Sequence, residues 1–294
     1  MPNGQLTRRE AAAILDRYDR TSASSTSLSD SQLKAGKKLI FVTNNSTASR
    51  DSVYQRLKEF GIAASIEEIF TSGYSTAVYL TRFNKLSPPR DKVFILGSTG
   101  IEEELAAVGI EFAGGTDQAF QRQVVEDDFR RLAEESNALS IFGAVVVGMD
   151  LNVNYLKLSH AVTHVRNGAA FLATNLDATF PTSGASFPAS GSLAAAVSKA
   201  AGVEPLLMGK PSPWMMDAIL ARYGPFDRHR TCMVGDGLDV DIRFGSEQGL
   251  GTLLVLSGVS SLEDLENTRY EPEAVVGRLA DLVPELQHLD MTED

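Results

Sequence analysis

Short apolar runs alternate along this chain with helix-period segments, and most of the runs stop at glycine or a small polar cluster. Leu39-Ile40-Phe41-Val42 ends at Thr43-Asn44-Asn45-Ser46-Thr47, and a helix pattern follows from Arg50 to Phe60, closed by Gly61. Ile69-Phe70 and then Ser72-Gly73 repeat the sequence of strand, polar turn and helix. Further strands are predicted at Val93 to Gly97, Ile141 to Val147, Ala170 to Asn175, Leu206 to Leu207, Cys232 to Gly235 and Gly251 to Leu256. Helices are predicted at Gly100 to Val108, Leu156 to Val165, Leu193 to Ala201, Trp214 to Tyr223, from near Ile242, and at Val275 to Leu286. Strands alternating with helices predict a doubly wound, Rossmann-like parallel α/β sheet with helices on both faces.

Several segments stand outside this rhythm. Thr7 to Glu10 reads as a capping box opening a helix through Leu15. Thr21 to Ser29 is serine-rich, has no period and offers almost nothing to bury, so it reads as a loop or disordered segment. Thr182 to Ser192, rich in Gly, Ser and Pro, reads as a loop as well. Leu86-Ser87-Pro88-Pro89 is a linker signal, and the block after it is a second α/β unit inserted into the first. The expected division is a core in two parts, 1–87 and 181–294, around an inserted cap at 88–180.

Composition narrows the class. The 294 residues are 43% hydrophobic and 22% charged, as in a soluble globular protein. The net charge of −11 sets the overall field against nucleic acid. No apolar run approaches the roughly 20 residues needed to span a bilayer, so no membrane partner is expected. No secretory leader is evident, and the single cysteine, Cys232, fits a reducing compartment. The expectation is a cytoplasmic protein with Cys232 as an inert buried thiol.

Three strand ends carry the candidate chemistry. The first, Thr43-Asn44-Asn45, offers a hydroxyl and backbone N–H groups at a helix start, which suits an anion or a plain N-cap turn equally well. The second, Gly209-Lys210, supplies a cation. The third, Gly235-Asp236-Gly237-Leu238-Asp239-Val240-Asp241, is an acidic loop of the kind that suits Mg²⁺, which takes oxygen ligands and keeps several waters. An anion cradle, a fixed cation and a metal-binding carboxylate are together what phosphoryl transfer needs.

The chain resembles phosphatases of the haloacid dehalogenase superfamily, in the branch of 4-nitrophenylphosphatase and phosphoglycolate phosphatase. Phe41 to Ser46 is similar to the second motif of that family, Gly209 to Pro213 to the third, and Gly235-Asp236 through Asp241-Ile242 to the fourth. Thr174 to Asp177, Gly191 to Ala196 and Phe244-Gly245 also resemble it. The resemblance implies that Thr43, Asn44 and Asn45 hold a phosphoryl group and that Lys210 neutralises it. Asp236 would ligate Mg²⁺, with Asp241 supporting it. It further implies a small phosphorylated metabolite as substrate, an aspartyl-phosphate intermediate, and a possible homodimer formed through the cap.

One motif departs. The family carries an Asp-x-Asp at the end of a hydrophobic first strand, and no Asp-x-Asp occurs before Lys38 here. Asp16 and Asp19 have the wrong spacing and follow no apolar strand. The expectation is that the first core strand is absent, together with the nucleophile, which leaves a phosphatase inactive as written or a non-catalytic member that binds phosphate ligands or a protein. Outside these motifs, His160 and His164 stand one helical turn apart, read here as a solvated helix face with no third ligand evident.

Overall fold

The computed structural model describes residues 20–23, 38–136, 140–182 and 185–278. In chain order these form β1 (Arg20–Ala23), β2 (Lys38–Thr43), α1 (Arg50–Glu59), β3 (Ile69–Thr71) and α2 (Ser72–Val78). There follow β4 (Lys92–Leu96), α3 (Thr99–Ala106), β5 (Phe112–Gly114), α4 (Glu126–Ser136), β6 (Phe142–Val147) and α5 (Tyr155–Arg166). Next come β7 (Ala170–Ala173), β8 (Thr179–Thr182), β9 (Ala185–Pro188), α6 (Ser190–Ala201), β10 (Leu206–Leu207) and α7 (Pro213–Tyr223). The last are β11 (Thr231–Gly235), α8 (Arg243–Glu247), β12 (Gly251–Val255), α9 (Leu262–Asn267) and β13 (Ala274–Val276). None of the described helices is long and apolar enough to cross a membrane.

The elements cluster into two compact units. The first draws on the described parts of Met1–Thr43, Val53–Phe70 and Lys210–Asp294. Its sheet has the order β13-β12-β11-β1-β2-β3, and the pairs β13/β12, β12/β11, β11/β1 and β1/β2 run parallel. Alternate side chains of its strands enter opposite cores. Leu253, Val255, Ala274 and Val276 join Leu39, Phe41, Leu57, Ile69, Cys232 and Val234. Leu254 and Val275 pack instead with Leu238 and Ile242. Burial on both faces is why these strands read as continuous apolar runs. Cys232 is fully buried.

Two expectations fail in this unit. The first core strand is not absent, because β1 occupies the central slot, with Ala23 opposite both Val234 and Phe41. The backbone of Arg20–Ala23 supplies the ladder partners that β2 and β11 require, and a ladder asks for N–H and C=O groups rather than for apolar side chains. Part of the segment read as a loop is therefore strand. The predicted closing helix likewise begins in a strand, since Val275 and Val276 extend the sheet edge beside Leu254 and Val255. The capping box at Thr7, the two early aspartates and the rest of the closing helix lie outside the described residues.

The second unit is Asn44–Ser52 with Thr71–Gly209. Its five-stranded sheet, β10-β7-β6-β4-β5, is parallel throughout. Phe94, Leu96, Val145, Val147 and Phe171 meet Ala161, Val165, Ala194 and Val197 of the covering helices α5 and α6. A separate antiparallel pair, β8 with β9, occupies part of the predicted 182–192 loop, and α6 starts at Ser190. The strand at Leu206 joins this sheet by pairing with Leu172 and Ala173, so it is not a strand of the larger sheet. Helix α4, unforeseen in the sequence, buries only Asp128 and Leu132 of its length. Its dense charge masks a narrow apolar stripe. The solvated face expected for His160 and His164 is also wrong. His164 is 3% exposed and packs on Phe142, with ring centroids 4.3 Å apart.

Candidate functional site

Strand β11 ends in Gly235, buried on both faces of the larger sheet. A Cβ at this position would run into the Asp241 carboxyl, so glycine lets the turn fold back on the strand end. The next residue, Asp236, stands just beyond the carboxyl end of a parallel strand, the usual place for ligands in an open α/β sheet. The chain then makes one π-helical turn, Leu238–Ile242, before α8. That turn swings Asp241 back under the strand end. One Asp241 oxygen accepts hydrogen bonds from the backbone N–H groups of Asp236 and Gly237, each 3.1 Å.

The other Asp241 oxygen accepts from Lys210 Nζ at 2.6 Å, and the same ammonium donates to the Val42 carbonyl at 3.1 Å. Lys210 and Asp241 are both buried. A buried ion pair of this kind is sustained only when further hydrogen bonds satisfy its remaining groups, as they do here. Lys210 thus ties the turn after β11 to the end of β2, where Thr43 follows Val42 and is half-buried. The first unit therefore brings Lys210, Asp236 and Asp241 together and fixes the strand that ends in Thr43.

Asp236 has no cation among the described residues. Its carboxylate accepts from the Val259 N–H at 3.3 Å, and its carbonyl accepts from the Ser260 N–H at 2.9 Å. The Ser260 hydroxyl accepts from the Leu238 N–H. Burial pushes the Asp236 carboxyl above its ordinary value, and the neighbouring Asp241 charge adds to the rise. A carboxylate held beside a second one, with a raised affinity for positive charge, is a fitting ligand for a hard cation. Asp241 spends both oxygens on the lysine and the backbone, so its part is to orient the loop. Sequence reasoning overlooked the Ser257 to Ser260 loop. Its signal was Gly258 just after a strand, where a Cβ would overlap the Asp236 carboxylate.

Asn44 and Asn45 belong to the second unit. Asn45 is exposed, and its side-chain oxygen accepts from the Thr47 N–H and hydroxyl at 2.9 and 2.7 Å, closing an Asx turn ahead of α1. The Asn44 carbonyl accepts from the Ser72 hydroxyl at 2.9 Å, while the Met208 carbonyl accepts from Ser75. Gly209 lies so close to the Asn44 side chain and the Thr174 carbonyl that a Cβ would strike both. No carboxylate follows β1 directly in the sequence, which continues Ser24-Ser25-Thr26.

Residues 21–111 match the haloacid dehalogenase-like hydrolase family, and residues 207–282 match a second, HAD-hydrolase-like description. A 4-nitrophenylphosphatase of Schizosaccharomyces pombe is 42% identical over 84% of this chain and 82% of its own length. Phosphoglycolate phosphatase 1A of Arabidopsis thaliana is 38% identical over 84% of this chain and 68% of its own. Among solved structures, a p-nitrophenyl phosphatase from Archaeoglobus fulgidus superposes with a TM-score of 0.74 at 29% identity, covering 91% of this chain and 98% of that one. A glycerol phosphate phosphatase from Mycobacterium tuberculosis, solved in complex with magnesium, gives 0.74 at 28% identity over 93% and 79%. A parallel α/β fold, a lysine-bridged aspartate loop and relatives of this extent agree: the chain belongs to the haloacid dehalogenase-like hydrolases, among the phosphatases that act on phosphate monoesters.

Proposed function

We propose that this chain carries the Mg²⁺- and phosphate-binding half of a phosphomonoesterase site of the 4-nitrophenylphosphatase and phosphoglycolate phosphatase type, and that the sequence as written forms no aspartyl-phosphate. The observation that carries this is the Lys210–Asp241–Asp236 cluster, in which a carboxylate with no cation among the described residues stands next to a carboxylate already neutralised by lysine. Asp236 would hold the cation, which when bound would neutralise phosphoryl oxygens and fix their orientation. Thr43 and the backbone of Asn44 and Asn45 would receive the anion, and Lys210 would contribute positive charge. The block 88–180 would act as the cap that excludes water, and as the surface for a homodimer. The substrate class is a small phosphorylated metabolite, in the cytoplasm.

A non-catalytic role has its own support. Arg20–Ala23 completes the ladder between β2 and β11, so losing the nucleophile need not cost the sheet. Arg20-Thr21-Ser22-Ala23 contains no carboxylate to attack phosphorus, and neither do the three residues after it. Such a chain binds phosphate monoesters without turning them over.

The test is a 4-nitrophenyl phosphate assay on the purified full chain with Mg²⁺, run beside calorimetric titrations with Mg²⁺ and with inorganic phosphate. Binding of both ligands, lost in Asp236→Ala, with hydrolysis at background is the expected result. Hydrolysis that needs Mg²⁺ and disappears in Asp236→Ala would refute the inactivity. Absence of Mg²⁺ binding would refute the assignment of Asp236.

A further inference from the structure

The second unit holds a group of side chains that the phosphatase reading does not use. His160 and His164 project from one face of α5, a single turn apart, and Glu135 reaches them from the end of α4. One ligand-capable atom from each residue lies within 4.8 Å of the other two. His160 Nδ1 and Glu135 Oε2 lie 3.7 Å apart, too far for a hydrogen bond. His164 is buried, and neither of its ring nitrogens has a hydrogen-bond partner among the described residues. Buried polar atoms nearly always have a partner, so an imidazole with both nitrogens unpaired calls for a physical reason.

We propose that Glu135, His160 and His164 form a binding site for Zn²⁺, with an open position for water or a ligand. Two imidazoles and one carboxylate are a donor set that zinc takes in sites with three protein ligands, at about 2.0–2.2 Å from each. Tetrahedral geometry at that bond length separates the donor atoms by roughly 3.3–3.5 Å. The Glu135–His160 distance is already close to this, and the rest requires a shift of about 1 Å. Glu135 has room to move toward both rings, because its side chain is 46% exposed.

The surroundings favour a metal over an ion pair. Phe94 stacks on His160 at 5.4 Å and tilts against His164 at 5.3 Å, while Phe120 meets His160 edge-on at 5.1 Å. These rings fix both imidazoles where hydrogen bonds from a carbonyl or carboxylate normally would. Burial lowers the proton affinity of both histidines, keeping lone pairs available. The other nearby acid, Asp128, is committed to Arg122 through bonds of 2.6 and 2.7 Å, so it is not a ligand. Zinc held here would staple α4 to α5 inside the second unit.

The test uses the full chain, stripped with chelator and dialysed against Zn²⁺ in excess Mg²⁺, which keeps zinc from the Asp236 carboxylate. The expected result is one bound Zn²⁺ per chain and a rise in Tm with zinc. Co²⁺ substituted for it should give the intense visible bands of a four-coordinate site. Glu135→Gln, at a half-exposed position that leaves the fold intact, should weaken binding by about tenfold or more, and His164→Phe should abolish it. If His164→Phe does not fold, Glu135→Gln and His160→Gln decide the matter. Absence of stoichiometric zinc, unchanged affinity in Glu135→Gln and His160→Gln, or loss of the bound zinc to Mg²⁺ would each overturn the proposal. The readout is metal content, so it stands or falls apart from any phosphatase activity.

Discussion

Two buried lysine–aspartate pairs, one in each unit, look alike in isolation. Lys210 meets Asp241 at 2.6 Å, and Lys157 meets Asp150 at 2.8 Å, with all four side chains shielded from solvent. Their surroundings differ. Asp150 spends an oxygen on the N–H of Asn152, a local turn after β6, and no second acid crowds it among the described residues. Asp241 spends its second oxygen on the N–H groups of Asp236 and Gly237, and so positions a neighbouring carboxylate that has no cation of its own among the described residues. The Lys157 pair closes its charge balance and is structural. The Lys210 pair leaves one negative charge over among the described residues, and that surplus is what the proposed cation would neutralise. A buried ion pair by itself therefore says little about function; the charge left beside it says more.

The largest expected effect falls on both pairs alike. Lys157→Met and Lys210→Met each strand a buried carboxylate, and each should lose about 3–5 kcal/mol in urea unfolding. The double variants then separate them. Lys157→Met with Asp150→Leu should recover most of the loss, since apolar residues can replace a closed pair. Lys210→Met with Asp241→Leu should recover less, because the Asp236 and Gly237 N–H groups lose their acceptor at about 1–3 kcal/mol each. Equal recovery in the two would mean that the pairs are alike in role.

A smaller effect tests the surplus charge directly. Asp236→Asn removes a carboxylate whose ionised form the fold disfavours, so the metal-free Tm should rise by about 2 °C. The same variant should lose any rise in Tm produced by Mg²⁺. Asp150→Asn, which leaves Lys157 unpaired, should lower Tm. A fall in Tm for Asp236→Asn in differential scanning calorimetry would mean that the carboxylate already has a cation.

The smallest effect concerns a more open pair, Arg122 with Asp128. The arginine, helped by the Val125 N–H, holds the Asp128 carboxyl below the ordinary carboxylate range. A depressed acid contributes stability that is fully present above its unfolded pKa, near 3.8, and that is lost as pH falls below it. Asp128→Asn should therefore be slightly destabilising near neutral pH and neutral in strong acid. Denaturation midpoints measured at several pH values check this, and a penalty independent of pH would assign the effect to packing instead.

Much of the scaffold was legible because its signals are local. Leu39 to Val42, Val93 to Leu96 and Gly251 to Val255 announce buried parallel strands by unbroken apolar runs, and Gly61 stops a helix with its positive φ of 72°. The acidic turn after β11 was visible for the same reason. Helix α4 was missed because a narrow buried stripe carries little weight among so many charged neighbours. Strand β1 was missed because Arg20-Thr21-Ser22-Ala23 has no apolar period at all. Its place between β2 and β11 is set by their backbone groups, which a sequence pattern does not display.

The sequence by itself determined the alternation of strands and helices, the glycines that allow close turns, and the lysine and aspartates offered at strand ends. Tertiary structure decided which of those groups meet. It pairs Lys210 with Asp241 rather than with Asp236, and it seats the strand of Leu206 in the sheet of the second unit while Lys210 serves the first. It also turns two histidines expected at a solvated face into an enclosed pair with a glutamate beside them. The reason is range. Periodicity and turn chemistry act over a few residues, whereas burial and charge balance depend on neighbours far along the chain. Those neighbours become defined only when each unit folds.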